Sequence, residues 1–269
     1  MNSPNFSVLT PCYIHSPQRK LGLIRAIHSV GTQTHEDFEH IVIDDGSPVV
    51  LEELESLQKM YPNLVYKRNE AHLERVNCYA DAMEMMKGEW IVFLDSDDML
   101  SPYALELYKD LINNNPDYKM FNFGCMYVHK DGRIVHRGPT IIPKLDVGHE
   151  IFGKGRIVSG TFIFHRSVYE DLGGFPHGVI TPEDQDEMEK LFHRKGELSM
   201  TNPWDYSCYM QLKFPELRQF SFVNVAEEDK KFVQELGNPW GQDYALYFMY
   251  TRKYQSMAFD IYPIWIFPK

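Results

Sequence analysis

Cysteine is scarce. The four in 269 residues are Cys12, Cys78, Cys125 and Cys208, and no two stand in a CxxC spacing. A zinc knuckle is therefore not expected, and free thiols in a reducing cytoplasm are. Cations are also in deficit. Lys plus Arg is 27 against 38 for Asp plus Glu, a net charge of −11. Binding nucleic acid needs clustered cations against phosphate, so no nucleic-acid partner is expected. No apolar run reaches the roughly 18 residues of a membrane span. Met1 to Phe6 is polar and carries no signal-peptide core, so a cytoplasmic location is expected, at most peripheral at the inner face of a membrane. The patterns GxxxxGK[ST], GxGxxG, HExxH and GxSxG are all missing. That leaves common NTPase, dehydrogenase, zinc-protease and hydrolase readings without support. What remains is ordinary for a globular protein: 43% hydrophobic and 24% charged residues exclude bulk disorder. The length suits one large α/β domain, alone or with a small appendage.

Continuous apolar runs predict buried strands at Phe6–Thr10, Ile41–Ile43, Leu64–Tyr66 and Trp90–Leu94. Helical spacing between them predicts helices over about residues 19–33, 51–60 and 79–86, the last closed by Gly88 as a C-cap. Strand then helix, repeated, predicts a parallel sheet with right-handed crossovers. Ligands of such sheets sit at the carboxyl ends of the strands. Beyond residue 99 the pattern is less regular. Strands are expected over 118–128, 133–136 and 158–165, and helices over about 183–195, 226–236 and 241–254.

Two acidic clusters fall at predicted strand ends. Asp95-Ser96-Asp97-Asp98 crowds carboxylates that repel one another, which a fold tolerates best beside a cation. Oxygen-only donors suit Mg²⁺ or Mn²⁺ rather than zinc. The plain alternative is a helix N-cap with acids at the positive dipole end. Asp44-Asp45-Gly46-Ser47 offers an acceptor for a base N–H or a ribose hydroxyl, or is only a turn. Glu183-Asp184 opens a predicted helix, either as a general base facing a cleft or as first-turn acids. Arg75 and Asn77, at a helix start, are a surface pair or an anion contact.

Together these segments resemble the family 2 glycosyltransferases of the GT-A fold. The resemblance begins at Ser7-Val8-Leu9-Thr10-Pro11-Cys12-Tyr13 and continues through Ala26-Ile27-His28-Ser29-Val30, Gln33 and Ile41-Val42-Ile43-Asp44-Asp45-Gly46-Ser47. Arg75-Val76-Asn77 looks like the family's Arg-x-Asn, and Lys87 to Asp98 like its strand and DxD motif. Ser159-Gly160, Leu172-Gly173-Gly174-Phe175 and Glu183-Asp184 look like its acceptor-side half. Residues 70–74, Glu-Ala-His-Leu-Glu, depart from it, because the family usually has glycines there.

The resemblance implies an α/β GT-A fold: a Rossmann-like, mostly parallel sheet flanked by helices, with a helical C-terminal extension. Residues 1–200 would form the glycosyltransferase domain (1–98 for the nucleotide, 99–200 for the acceptor), and 201–269 would pack on the same domain. The implied activity is metal-dependent, inverting transfer from a nucleotide-diphosphate sugar, a UDP-sugar foremost, to a hydroxyl of a glycan or glycolipid. Thr10, Pro11, Tyr13, Asp44, Arg75, Asp95 and Ser96 would bind the nucleotide and Asp97 the metal, Mn²⁺ or Mg²⁺. Asp184 would deprotonate the acceptor, with Gly160 and Glu183 near acceptor or donor sugar. The rival readings are a nucleotidyltransferase, for which residues 10–17 lack a basic glycine-rich loop, and a non-catalytic sugar-nucleotide-binding protein. The aromatic tail, Ile261 to Phe267, is expected either to pack on the body or to offer a sticky face to a membrane surface or a second copy, as in a homodimer.

Overall fold

The computed structural model describes residues 5–73, 75–129, 131, 133–138, 162–171, 180–193, 195–198, 209, 212–213 and 257–267. Four strands form the parallel half: β1 (Phe6–Cys12), β2 (Phe38–Asp44), β3 (Leu64–Arg68) and β4 (Trp90–Phe93). β1 is central, with Phe6 opposite Phe38 on one side and Trp90 on the other, and Cys12 opposite Asp44. β2 pairs with β3 from His40–Leu64 to Asp44–Arg68. Their apolar runs are continuous because both faces are covered. On one face Leu9, Ile41, Ile43, Ile91 and Phe93 pack with Cys78, Tyr79 and Met83 of α3 (Arg75–Met85). On the other, Val42 packs with Leu23 and Ile27 of α1 (Pro17–Gly31), while Val8 and Val92 meet Leu105 and Tyr108 of α4 (Ala104–Asn114). A short α2 (Leu54–Met60) joins β2 to β3.

The second half makes the sheet mixed rather than mostly parallel. β8 (Phe162–His165) runs antiparallel to β4 and to β6 (Met120–Val128). β7 (Ile134–Gly138) continues that edge of β6. On the other edge of β6 lies β9 (Met257–Ile266), parallel to it, and β9 in turn pairs antiparallel with β5 (Met99–Leu100). Among the described residues the order is β3-β2-β1-β4-β8-β6-β9-β5. Helices α5 (Arg166–Asp171) and α6 (Pro182–Phe192) complete the described elements. The aromatic tail is thus a strand inside the sheet, with Ile264 fully buried. The extension is not purely helical; the helices expected at 226–236 and 241–254 lie outside the described residues.

Gly88 does not cap a helix. α3 ends at Met85, and among the described residues only Gly46 and Gly196 are glycines with positive φ. A Cβ on Gly88 would lie 2.5 Å from the Ser7 amide nitrogen and from its Oγ. Glycine there lets the chain approach β1 closely enough for the Gly88 amide to donate to Ser7 Oγ at 2.8 Å.

His40 of β2 is buried, sharing a 2.9 Å hydrogen bond between its Nε2 and Thr10 Oγ1. Burial pushes its pKa from 6.5 down to about 3. The unfolded chain therefore takes up a proton that the folded chain refuses. Stability from this group is complete above pH 6.5 and falls as the pH drops toward 3, by at most about 1.4 kcal/mol per pH unit. In urea unfolding across pH 4–7, His40→Gln is expected to lose this part of the slope. An unchanged slope would show that His40 does not hold off its proton.

Candidate active site

The site is built at the carboxyl ends of β1, β2 and β4. At the end of β2, Asp44 and Asp45 are adjacent but do different work. Asp44 is completely buried. Its Oδ1 accepts from the Ser47 amide at 2.9 Å, and its Oδ2 accepts from the Tyr66 hydroxyl and from Arg68 Nη1 at 3.1 Å. Burial, then the bond to Asp44, pushes the Tyr66 phenol up, so it remains a donor. Arg68 Nη2 also reaches the Ser47 carbonyl at 2.5 Å, and Ser47 Oγ accepts from the Ile14 amide at 2.6 Å. Asp44 is the internal strut of this turn rather than a surface acceptor.

Asp45 faces the next loop. Its Oδ1 accepts from the Leu73 amide at 2.8 Å and from Asn69 Nδ2 at 3.2 Å, and its Oδ2 lies 2.8 Å from His72 Nδ1. The His72 ring stands 4.3 Å from that of Tyr13, which is 40% exposed. The Tyr13–His72–Asp45 group combines an open aromatic surface with a carboxylate. Gly46 has φ +71, and a Cβ there would fall 2.7 Å from the Ala71 carbonyl carbon, so the turn presses directly on this loop. Of the other expected nucleotide contacts, Thr10 has turned its hydroxyl inward to His40, and Pro11 is partly buried in β1. Arg75 opens α3, but its side chain lies outside the described residues, as does Gly160.

Beyond β4, Asp95, Asp97 and Asp98 bring one carboxylate oxygen each to within 4.8 Å of one another. Asp97 and Asp98 are buried, while Asp95 and Ser96 are partly so. The turn is closed by the Asp98 amide donating to the Asp95 carbonyl at 3.0 Å. Arg19 Nη1 lies 2.7 Å from Asp97 Oδ2. The Phe267 amide donates to Asp98 Oδ1 at 3.4 Å, and the Arg25 guanidinium sits 4.5 Å from the Phe267 ring centre. An all-carboxylate donor set this tight fits a hard divalent cation, Mg²⁺ or Mn²⁺, and does not suit zinc.

Asp184 is the third residue of α6 and forms a capping box: its amide donates to Thr181 Oγ1 and its carboxylate accepts from the Thr181 amide, each at 3.1 Å. Asp184 Oδ1 also pairs with Lys213 Nζ at 2.7 Å. Burial alone would raise its pKa, but the Lys213 and Thr181 hydrogen bonds outweigh it and hold the carboxyl below the usual range. Glu183 beside it is exposed. Sequence reasoning singled out the Asp44-Asp45 cluster but gave the base contact to Asp44, and it did not single out Arg19, His72 or Lys213. Only the departure at residues 70–74 pointed toward His72.

Comparison with known proteins places the chain in a family. The Glycosyl transferase family 2 model matches residues 7–173. The chain is 26% identical over 193 residues to an uncharacterized glycosyltransferase of Haemophilus influenzae, covering 69% of this chain and 61% of that one. It is 28% identical over 248 residues to the chondroitin synthase of Escherichia coli, covering 86% of this chain and 32% of that one. An uncharacterized protein of Sinorhizobium fredii is 27% identical over 199 residues, which are 72% of this chain but 21% of that protein. The chain thus spans less than two thirds of these relatives' length. In fold it is similar to S. aureus TarS 1-349 in complex with UDP-GlcNAc, with a TM-score of 0.56, 20% identity and coverage of 87% of this chain and 72% of that one. With more than half its length matched and its acidic loops at the strand ends, the chain belongs to glycosyl transferase family 2.

Proposed function

We propose that the protein transfers a sugar from a nucleoside-diphosphate sugar to a hydroxyl of a glycan or glycolipid, with inversion at the anomeric carbon. The observation that carries this reading is the crowded trio Asp95, Asp97 and Asp98 at the end of β4, in a member of this family. Two similarities support the substrates: TarS has been crystallised with UDP-GlcNAc, and one relative is a chondroitin synthase. A uracil N–H suits a carboxylate acceptor, so a UDP-sugar is the donor proposed.

Asp97 would hold the cation, with Asp95 and Asp98 beside it and Asp95 also facing the ribose. A bound Mn²⁺ or Mg²⁺ supplies charge neutralisation for the departing diphosphate. Tyr13 and His72 offer aromatic faces to the base. Asp45 is buried like Asp44, but its carboxylate faces the His72 loop beside Tyr13, so it is the one proposed to reach the base. Asp184 takes the proton from the acceptor hydroxyl. The freed oxygen then bonds to the anomeric carbon, and the bond to the diphosphate breaks with its electron pair leaving on the phosphate oxygen. Asp184 can serve this way once Lys213 moves off its Oδ1 and the acceptor hydroxyl takes that place.

Asp97→Ala is expected to remove the Mn²⁺-dependent part of UDP binding in calorimetry. Wild-type turnover indifferent to EDTA would contradict the metal role. The two aspartates of β2 separate by readout. Asp44→Ala strands the Tyr66 hydroxyl, the Ser47 amide and Arg68, costing about 1–3 kcal/mol. That lowers Tm by several degrees. Asp45→Ala strands the Leu73 amide, Asn69 and His72 and so also lowers Tm, but it is expected in addition to weaken UDP binding; a loss of UDP affinity in Asp44→Ala with none in Asp45→Ala would return the base contact to Asp44.

Asp184→Asn preserves shape and removes the proton acceptor. A general base contributes about 10²–10⁴-fold, so a loss of at least about a hundredfold in transfer rate is expected, with UDP affinity nearly unchanged. Normal turnover by Asp184→Asn with a dead Glu183→Gln would move the base by one residue.

A further inference from the structure

Arg19 belongs to the first turn of α1, yet its guanidinium reaches a residue 78 positions away. Its place is fixed from two directions. The Arg19 amide donates to the N-cap Ser16 Oγ at 3.3 Å, which sets the helix start. One turn on, Gly22 lets the helix rest against the acidic loop: a Cβ there would lie 3.1 Å from the Ser96 carbonyl oxygen and 3.3 Å from Asp97 Cα. Glycine inside a helix is unfavourable relative to alanine, and α1 carries it where the loop needs the space. The Arg19 side chain remains 31% exposed and that of Asp97 12%, so the pair sits at the mouth of the site.

The donor reading above makes Asp97 a metal ligand, and the inference rests on that reading. The Asp97 oxygen that binds Arg19 cannot serve a divalent cation at full strength while the guanidinium, itself a cation, stays 2.7 Å away. We infer that Arg19 is a donor-binding residue that holds Asp97 until the cation arrives with a nucleoside diphosphate, and then turns to the diphosphate. A cation alone must displace Arg19 and gives it nothing in return. A diphosphate offers the displaced guanidinium a bidentate partner of the geometry it favours. Cation and nucleotide therefore strengthen each other's binding, by the same factor in either order.

The test uses the full chain as wild type, Arg19→Gln and Arg19→Lys. Free Mn²⁺ is followed by electron paramagnetic resonance, with and without saturating UDP. Arg19→Gln is expected to bind Mn²⁺ alone about fivefold tighter, the factor expected of a partly exposed ion pair at the upper end of its range. UDP should then strengthen Mn²⁺ binding by a smaller factor than in wild type. Arg19→Lys, which keeps the charge but not the fork, should fall between and guards against a folding defect. Equal Mn²⁺ affinities and equal UDP effects in all three proteins, or weaker Mn²⁺ binding by Arg19→Gln without UDP, would overturn this role for Arg19 and leave Asp97 a ligand. No Mn²⁺ binding by wild type with or without UDP would overturn the donor reading along with it.

Discussion

Mutual repulsion among Asp95, Asp97 and Asp98 is the constraint on which the rest of the site depends. Two unit charges 4 Å apart near a protein surface interact by about 4 kcal/mol at an effective dielectric constant of 20. The fold meets this cost from both ends of the chain. From the N-terminal side α1 brings Arg19 onto Asp97, and Gly22 lets the helix close on the loop. From the C-terminal side β9 runs between β6 and β5 and ends with the Phe267 amide on Asp98. Arg25 of α1 lies over the Phe267 ring, so the two supports also touch each other. The loop is a junction of distant segments, held in a shape that a divalent cation fits.

The parallel half was legible because its signals are local. Continuous apolar runs at β1, β2 and β4 are read without knowing what packs against them. So were the acids at the carboxyl ends of those strands. Which acid does what was not legible. Asp44, the last residue of β2, is bonded within its own turn and to Tyr66 and Arg68, whereas Asp45, just past the strand, is bonded to the loop at Asn69–Leu73, yet the sequence only shows them adjacent. Arg19, His72 and Lys213 acquire their roles through contacts with distant or neighbouring loops that no spacing rule encodes. The tail was expected either to pack on the body or to offer a sticky face, and it packs; what composition could not show is that it does so as a strand, paired with two strands from the middle of the chain. Gly88 shows a further confusion: glycine after a helix reads as a cap, but here it makes room for Ser7.

α6 carries Asp184, the proposed base. Met188, on the buried side of this helix, joins the core that holds α3 and β4. The helix start that places Asp184 is therefore tied to the β1–β4 half by packing. The capping box fixes the backbone of Asp184, and Lys213 fixes its carboxylate. Lys213 also sits 5.0 Å from the ring centre of Tyr209, which belongs to the same core. In the proposed reaction, an acceptor that displaces Lys213 would raise the proton affinity of Asp184, because the hydrogen bond that lowers it would be gone.

The cation and the nucleoside diphosphate are proposed to meet at the acidic loop after β4. Crystals of the protein grown with UDP and Mn²⁺ and measured at the manganese absorption edge test this. An anomalous peak bonded to the Asp97 carboxylate and to the diphosphate is expected, with Arg19 turned away from Asp97. UDP bound with no manganese at this loop, or manganese held elsewhere, would contradict it.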